Sequence, residues 1–208
     1  SGQNLSKEVS LPDPKPAIAG STPYRFLCRN GKIFPLDDDG LKKKVSSTLT
    51  KAGIKPNKES EYDAKKFLGV VNGNKLGTKF FSLLAREDKD KVIRFSVDKK
   101  DQNGENESQV IQPGSQYNKI LSGLDPRKNY LLFEVFPDSF EVYLSARNLA
   151  NERQFPGGWK PAHRVTDWWS YDWGYRTIGR KQYLASRPKP KPSSGKSVPP
   201  KKPANVLD

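Results

Sequence analysis

The sequence predicts an α+β or α/β fold built as a single mixed β-sheet with a βαβ crossover, two to four helices and disordered Pro-rich ends. Three observations carry that expectation. Residues 130–136, Tyr-Leu-Leu-Phe-Glu-Val-Phe, are almost continuously apolar, as a strand covered on both faces requires. Asp138 follows Pro137 as a candidate N-cap, with Glu141 three residues on as in a capping box, and Val142, Tyr143, Ala146, Leu149 and Ala150 fall on one helical stripe. Phe155-Pro156-Gly157-Gly158-Trp159 then breaks the helix and returns the chain, so that strand, helix and second short strand read as a parallel crossover.

The remaining elements are predicted in chain order. Residues 1–22 are rich in Ser, Pro and Gly without periodicity and form a flexible linker. Residues 24–36 read as a hairpin around Asn30-Gly31, a pair suited to the type I′ turn. Asp37-Asp38-Asp39-Gly40 lacks the alternating ligands and distal Glu of a calcium loop, so it is expected to be a solvated turn or helix start. A short helix over 41–52 carries Val45, Leu49 and Ala52, with Lys42-Lys43-Lys44 on its wet face. Residues 62–71 fit either a helix or a strand. Residues 80–85 and 92–97 form an antiparallel pair across the polar link 87–90, and 99–109 reads as a hydrophilic loop. Residues 116–124 offer a helix with Tyr117, Ile120, Leu121 and Leu124, stopped by Asp125-Pro126. One globular domain over 23–185 follows, with a basic Pro-rich tail from 186 to 208.

Composition bounds the chemistry. Of 208 residues, 34% are apolar, enough for a modest core, and the longest apolar runs are far too short to cross a membrane. Methionine is missing throughout, position 1 included, so the sequence is expected to be a processed or excised piece, and an upstream signal or anchor stays an open question. The single cysteine, Cys28, excludes an internal disulfide or a multi-cysteine metal site and is expected to be a buried strand thiol. Of the net charge of +14, the tail holds +5, from six Lys or Arg against Asp208, and residues 1–22 balance, which leaves about +9 on the domain. That balance favours anionic partners without specifying an activity. Asn-x-Ser triplets at Asn4 and Asn106 matter only in a glycosylating compartment.

No motif requires catalysis, a cofactor or a metal. In Gly73-Asn74-Lys75-Leu76-Gly77-Thr78-Lys79 the glycines stand too close, and Thr precedes Lys, so the segment is a Gly-rich turn rather than a phosphate loop. His163 is the only histidine and has neither a metal-ligand spacing nor a nucleophile elbow beside it. The most unusual composition lies in 168–176, where an extended chain puts Trp169, Tyr171, Trp173 and Tyr175 on one face and Ser170, Asp172 and Arg176 on the other. Exposed, and flanked by Arg164, Arg176, Arg180 and Lys181, this ladder is a stacking surface for single-stranded bases or sugar rings. Buried, it is an apolar strip that docks the C-terminal segment on the sheet, the favoured reading in a domain lean in aliphatic residues. The Pro-Lys alternation at 187–192 reads as a charged polyproline II spacer, either a plain basic tail or an arm for a Pro-motif reader or an anion.

The order of elements resembles the periplasmic domains of ExbD/TolR-type biopolymer-transport proteins. The likeness rests on the 24–36 hairpin, the helix from Leu41, the helix at Tyr117 to Leu124 and the run Tyr-Leu-Leu-Phe-Glu-Val-Phe-Pro-Asp-Ser-Phe-Glu-Val-Tyr-Leu-Ser-Ala-Arg-Asn-Leu-Ala from Tyr130. The Pro-Lys tail is similar to the spacer of TonB-like envelope proteins. The pattern covers about half the chain, breaks at 55–74 and in the Trp-rich end, and offers no counterpart to the family's transmembrane helix with its acidic residue. The resemblance implies a non-enzymatic, self-associating domain of a bacterial envelope complex, periplasmic or envelope-associated, with a protein as its partner. Two other classes stand beside it: a nucleic-acid-binding module using the ladder, and an enzyme with a carboxylate site assembled only by the fold.

Overall fold

A computed structural model of the chain describes residues 16–162 and 169–188. Their architecture is α+β, with two mixed sheets and six helices in place of the expected single sheet with two to four. The first sheet begins with β1 (Thr22–Arg29) and β2 (Lys32–Leu36), joined at Asn30 (φ 54°) and Gly31 (φ 66°). Two consecutive positive φ angles are what a type I′ turn requires, and Asn and Gly are the residues that tolerate them. α1 (Asp38–Lys51) follows, its first turn capped by Asp37, whose Oδ1 accepts from the Gly40 amide at 2.8 Å.

The ambiguous 62–71 stretch divides: β3 (Glu61–Tyr62) is followed by α2 (Ala64–Gly73), with the Asp63 carboxylate capping Lys66 N. β4 (Phe81–Glu87) and β5 (Val92–Lys99) form the expected antiparallel pair. The hydrophilic 99–109 segment is more ordered than its composition suggests. It holds a 3₁₀ turn, β6 (Glu105–Asn106), which pairs with β2, and the start of α3 (Glu107–Val110), closed by an Asn106/Gln109 capping box. α4 (Gln116–Gly123) and β7 (Asn129–Val135) come next. α5 (Phe140–Glu152) then crosses to β8 (Gly157–Pro161), parallel to β7, completing the βαβ unit. β9 (Trp169–Thr177) and α6 (Arg180–Ser186) end the fold.

The sheet orders are β6-β2-β1-β7-β8 and β3-β9-β5-β4. Strand alternation explains why two cores exist. Phe26 and Cys28 point from β1 into a cluster with Phe133, Tyr117, Val142, Tyr143 and Ala146 beneath α3, α4 and α5. Leu27, between them, points the other way and joins Phe34, α1, α2 and the inner face of the second sheet. Burial pushes the Cys28 thiol up, so it stays protonated. β9 joins the second sheet because its aromatic face complements Phe95 and Phe67 there, a pairing across some seventy residues that local periodicity does not register.

One expected cap is overturned. Asp138 lies inside a 3₁₀ turn (Pro137–Ser139), and α5 starts after Ser139 without a side-chain cap. The Asp138 carboxylate instead accepts from the Asn30 amide (3.2 Å) and the Ser139 hydroxyl (2.8 Å), while Gly31 N donates to Ser139 Oγ (2.9 Å). The hairpin turn outcompetes the helix end for these acceptors. At the far end of α5, the fully buried Arg147 donates to the carbonyls of Phe155 and Gly157, both at 3.3 Å, which fixes the return into β8. Burial lowers its pKa, since these carbonyls bring no countercharge.

Candidate functional site

β9 realises the predicted alternation. Trp169, Tyr171, Trp173 and Tyr175 are half-buried and pack against the core on the inner face of the second sheet. Trp173 lies 4.4 Å from the Phe95 ring and 5.4 Å from Tyr171, and Tyr175 lies 5.0 Å from Phe67 and 5.6 Å from Tyr62. Trp169 packs on Phe81 at 5.6 Å and donates its indole N–H to Glu134 Oε2 of the first sheet at 3.0 Å. The ladder therefore ties the two sheets together.

The cations expected to flank it are distributed elsewhere. Arg176 is on the opposite face in a bidentate pair with Asp172 (2.7 and 3.1 Å). Arg180, in α6, reaches the Asp90 carbonyl, and the Lys181 backbone N–H is held by Glu61, which also accepts from Gly179 N at 3.0 Å. Arg164 and His163 lie outside the described residues, as do the Pro-rich tail from 189 and Asn4. The residues of the predicted site that are described do not converge on one surface.

What the second sheet does present to solvent is its outer face. Alternation along β4, β5 and β9 places Ser82, Leu84 and Arg86 beside Asp98, Ser96 and Arg94, and these beside Ser170 and Asp172. Arg86 stands directly opposite Arg94, a like-charge pair that needs compensation. Arg94 finds it in Asp88 (3.0 Å) and Asp172 (3.5 Å), and Arg86 donates to the Ser96 hydroxyl at 2.8 Å. Burial opposes ionisation of Asp88 and Asp172, but the hydrogen bonds and charges of Arg94 and Arg176, with neighbouring amides, outweigh it and hold both carboxyls below their usual value.

Above β4 this face deepens into a groove of about 710 Å³, bordered by Lys75 and Leu76 after α2, with Leu84, Arg86, Asp98 and Lys100 on its sheet side. Its rim is the Gly-rich turn of residues 73–79. That turn offers carbonyls to cations: Gly77 O accepts from Lys44 Nζ (2.8 Å) and Thr78 O from Lys100 Nζ (2.9 Å). A phosphate cradle needs the reverse polarity, amides aimed at an anion. Here the Thr78 amide is spent on Phe81 O, and Thr78 Oγ1 accepts from Phe80 N and Phe81 N.

The sheet edges are guarded. On β4, the Asn72 side chain takes both backbone groups of Ala85 (2.8 and 2.9 Å), and Leu83 N donates to Leu76 O at 3.1 Å. β8 ends in exposed Lys160 and Pro161, which has no N–H to offer, and β3 and β6 are two residues each. Sequence reading did not single out Asn72, Leu84, Arg86 or Lys100. The available signal was the alternation of β4, which puts Leu84 in phase with Ser82 and Arg86 rather than with Phe81, Leu83 and Ala85.

Among the described residues no three His, Cys, Asp or Glu side chains gather as metal ligands, and no helix is long and apolar enough to cross a membrane. No protein-family model, characterised protein or solved structure matches the chain.

Proposed function

We propose that the chain is a non-catalytic binding or scaffolding domain of a bacterial envelope-associated complex. The observation that carries this reading is the asymmetry of the second sheet, whose inner face is committed to the core while its outer face is left open with charges, small polar groups and exposed Leu84. The guarded edges support binding through that face rather than by strand addition. The envelope assignment rests on the resemblance of the sequence's predicted element order to the periplasmic domains of ExbD/TolR-type proteins.

A nucleic-acid-binding module is the second reading, supported by the net charge of +14. It needs stacking groups in reach of bases, whereas the ladder faces the core. Lysine-reactive cross-linking of the chain in envelope and cytosolic extracts, with sedimentation of the purified chain, separates the two. Self-association, or a defined envelope partner cross-linked at Lys75 or Lys100, is the expected result. A strict monomer cross-linked to nothing overturns the scaffold reading, and salt-sensitive recovery of nucleic acid promotes the second.

A further inference from the structure

Residues 42–66 hold eight lysines, no arginine and three carboxylates, more than half of the domain's surplus positive charge. Among the described residues none of these lysines lies within ion-pair distance of a carboxylate, and only Lys44 is tied down, by its bond to the Gly77 carbonyl. Glu61 is buried and accepts from the Gly179 and Lys181 amides, so within this stretch only Glu59 and Asp63 stand at the surface against the lysines. Where the stretch meets the end of β9 the surface is also apolar. Ile178, 55% exposed, stands between two hollows. It shares one of about 320 Å³ with Ile54, Lys55 and Lys66, and one of about 420 Å³ with Glu59 and Lys181. Leu184, 47% exposed, lies on α6 about one turn beyond Lys181.

We propose, resting on the envelope-associated reading, that this end of the domain docks on an anionic phospholipid membrane. Ile178 enters the boundary between headgroups and acyl chains, and Lys55, Lys66 and Lys181 lie against lipid phosphates. The charge and the apolar knob call for the same partner. Each lysine near an anionic bilayer strengthens attachment about fivefold, an attraction that salt screens. An exposed aliphatic side chain gains by leaving water for acyl chains, which a polyanion in solution does not offer. Lysine suits such a surface, because its apolar stem lies along the interface while the ammonium reaches the phosphates. A nucleic-acid strand fits less well. Tyr62, the one aromatic residue of the stretch, packs inward on Phe67 and Tyr175 at 5.4 and 5.6 Å, so the lysines have no ring beside them on which a base could stack.

The test pellets the full chain with vesicles of phosphatidylcholine alone and of equal parts phosphatidylcholine and phosphatidylglycerol, with a single-stranded oligodeoxynucleotide as comparator. Expected are binding to the anionic vesicles alone, weakened by salt, and partitioning at least about fivefold weaker in each of Lys55→Glu, Lys66→Glu and Ile178→Ser. Lys66→Glu puts a carboxylate in the first turn of α2, where the helix dipole favours it, and Ile178→Ser keeps the backbone bond from residue 178 to Tyr62 O, so neither should lower the melting temperature. Lys119→Glu, on exposed α4, and Lys201→Glu, in the tail, should each change partitioning less than about twofold. A solvatochromic dye on Ile178→Cys, the only reactive thiol because Cys28 is fully buried, should shift to the blue on anionic vesicles. Equal weakening by Lys119→Glu or Lys201→Glu, an unshifted dye, or oligonucleotide binding that is tighter and weakened by the same variants each overturns the assignment. No binding to anionic vesicles also overturns it, while the cross-linking result judges the broader binding-domain reading separately.

Discussion

Adjacent residues on β1, Phe26 and Leu27, are both fully buried, one in each core, whereas adjacent residues on β4, Leu83 and Leu84, are 6% and 53% exposed. The first sheet is thus packed on both sides and the second on one. A strand buried on both faces must be apolar where it is covered, as β1 is over Phe26, Leu27 and Cys28 and as β7 nearly is, and each of those side chains is constrained by neighbours. A strand buried on one face frees every second residue from packing. In the second sheet those residues are charged or small apart from Leu84, and three of them are arginines, Arg86, Arg94 and Arg176. The difference separates the part of the molecule that holds the fold from the part that is free to recognise something.

The sharpest way to break this comparison is to truncate one residue from each kind of position. Phe133 on β7 is fully buried, 5.1 Å from Phe26 and 5.4 Å from Tyr143, and Phe133→Ala is expected to cost about 3–5 kcal/mol in denaturant unfolding. Leu84→Ala should cost under about 0.5 kcal/mol. Comparable losses at the two positions would mean that the outer face is covered in the native protein. Trp173 sharpens the contrast within the second sheet, because its ring is wedged between Phe95 and Tyr171. Trp173→Ala is expected to destabilise by about 2–4 kcal/mol. A melting curve unchanged in Trp173→Ala would show that the ladder is not part of the core.

The doubly covered sheet was the more legible in sequence, for the same physical reason. The Asn30-Gly31 turn and the apolar run 130–136 are local signals, and both strands lie where those signals put them. The pairing of β5 with β9 depends on Phe95 meeting Tyr171 and Trp173, and no periodicity within either segment contains that information. One sheet was therefore expected where two exist. Asp138 shows the converse failure. Its spacing to Glu141 fits a capping box, yet an amide 108 residues away, on Asn30, takes the carboxylate. For the site, composition pointed to the aromatic face of β9, while the open face is marked only by the phase of Leu84, a residue unremarkable in itself.

Smaller effects test the joints of each sheet. An added Cβ at Gly157 would stand 2.7 Å from Leu131 O and 3.1 Å from Arg147 Nη1, and the backbone carbonyl cannot give way easily. Gly157→Ala should therefore cost about 1–3 kcal/mol and slow assembly of the crossover. On the second sheet, Asn72→Ala strips the guard from Ala85 and should cost about 1–2 kcal/mol. Its more telling consequence is self-association through the bared β4 edge beyond that of the parent chain, visible as concentration-dependent sedimentation; an Asn72→Ala chain that sediments as the parent does would show that the 76–78 turn protects the edge alone.

The smallest expected effect separates the sheets by pH. Asp88 and Asp172 on the open face have folded-state pKa values below the ordinary 3.8, held there by Arg94 and Arg176 against the opposing effect of burial. A carboxyl depressed on folding contributes stability that is fully present above its unfolded value and is lost as pH falls through its folded value. Stability should thus be level from neutral pH down to about 4 and decline below it. Each pair is partly exposed, so its share is about 0.2–1 kcal/mol and shrinks as salt is added. Asp172→Asn should flatten part of that acid limb, whereas the loss in Phe133→Ala, which removes only apolar contacts, should be the same at either end of the range. An acid limb untouched by Asp172→Asn would assign it to Asp88 or to carboxylates away from the open face, and Asp88→Asn would decide between the two.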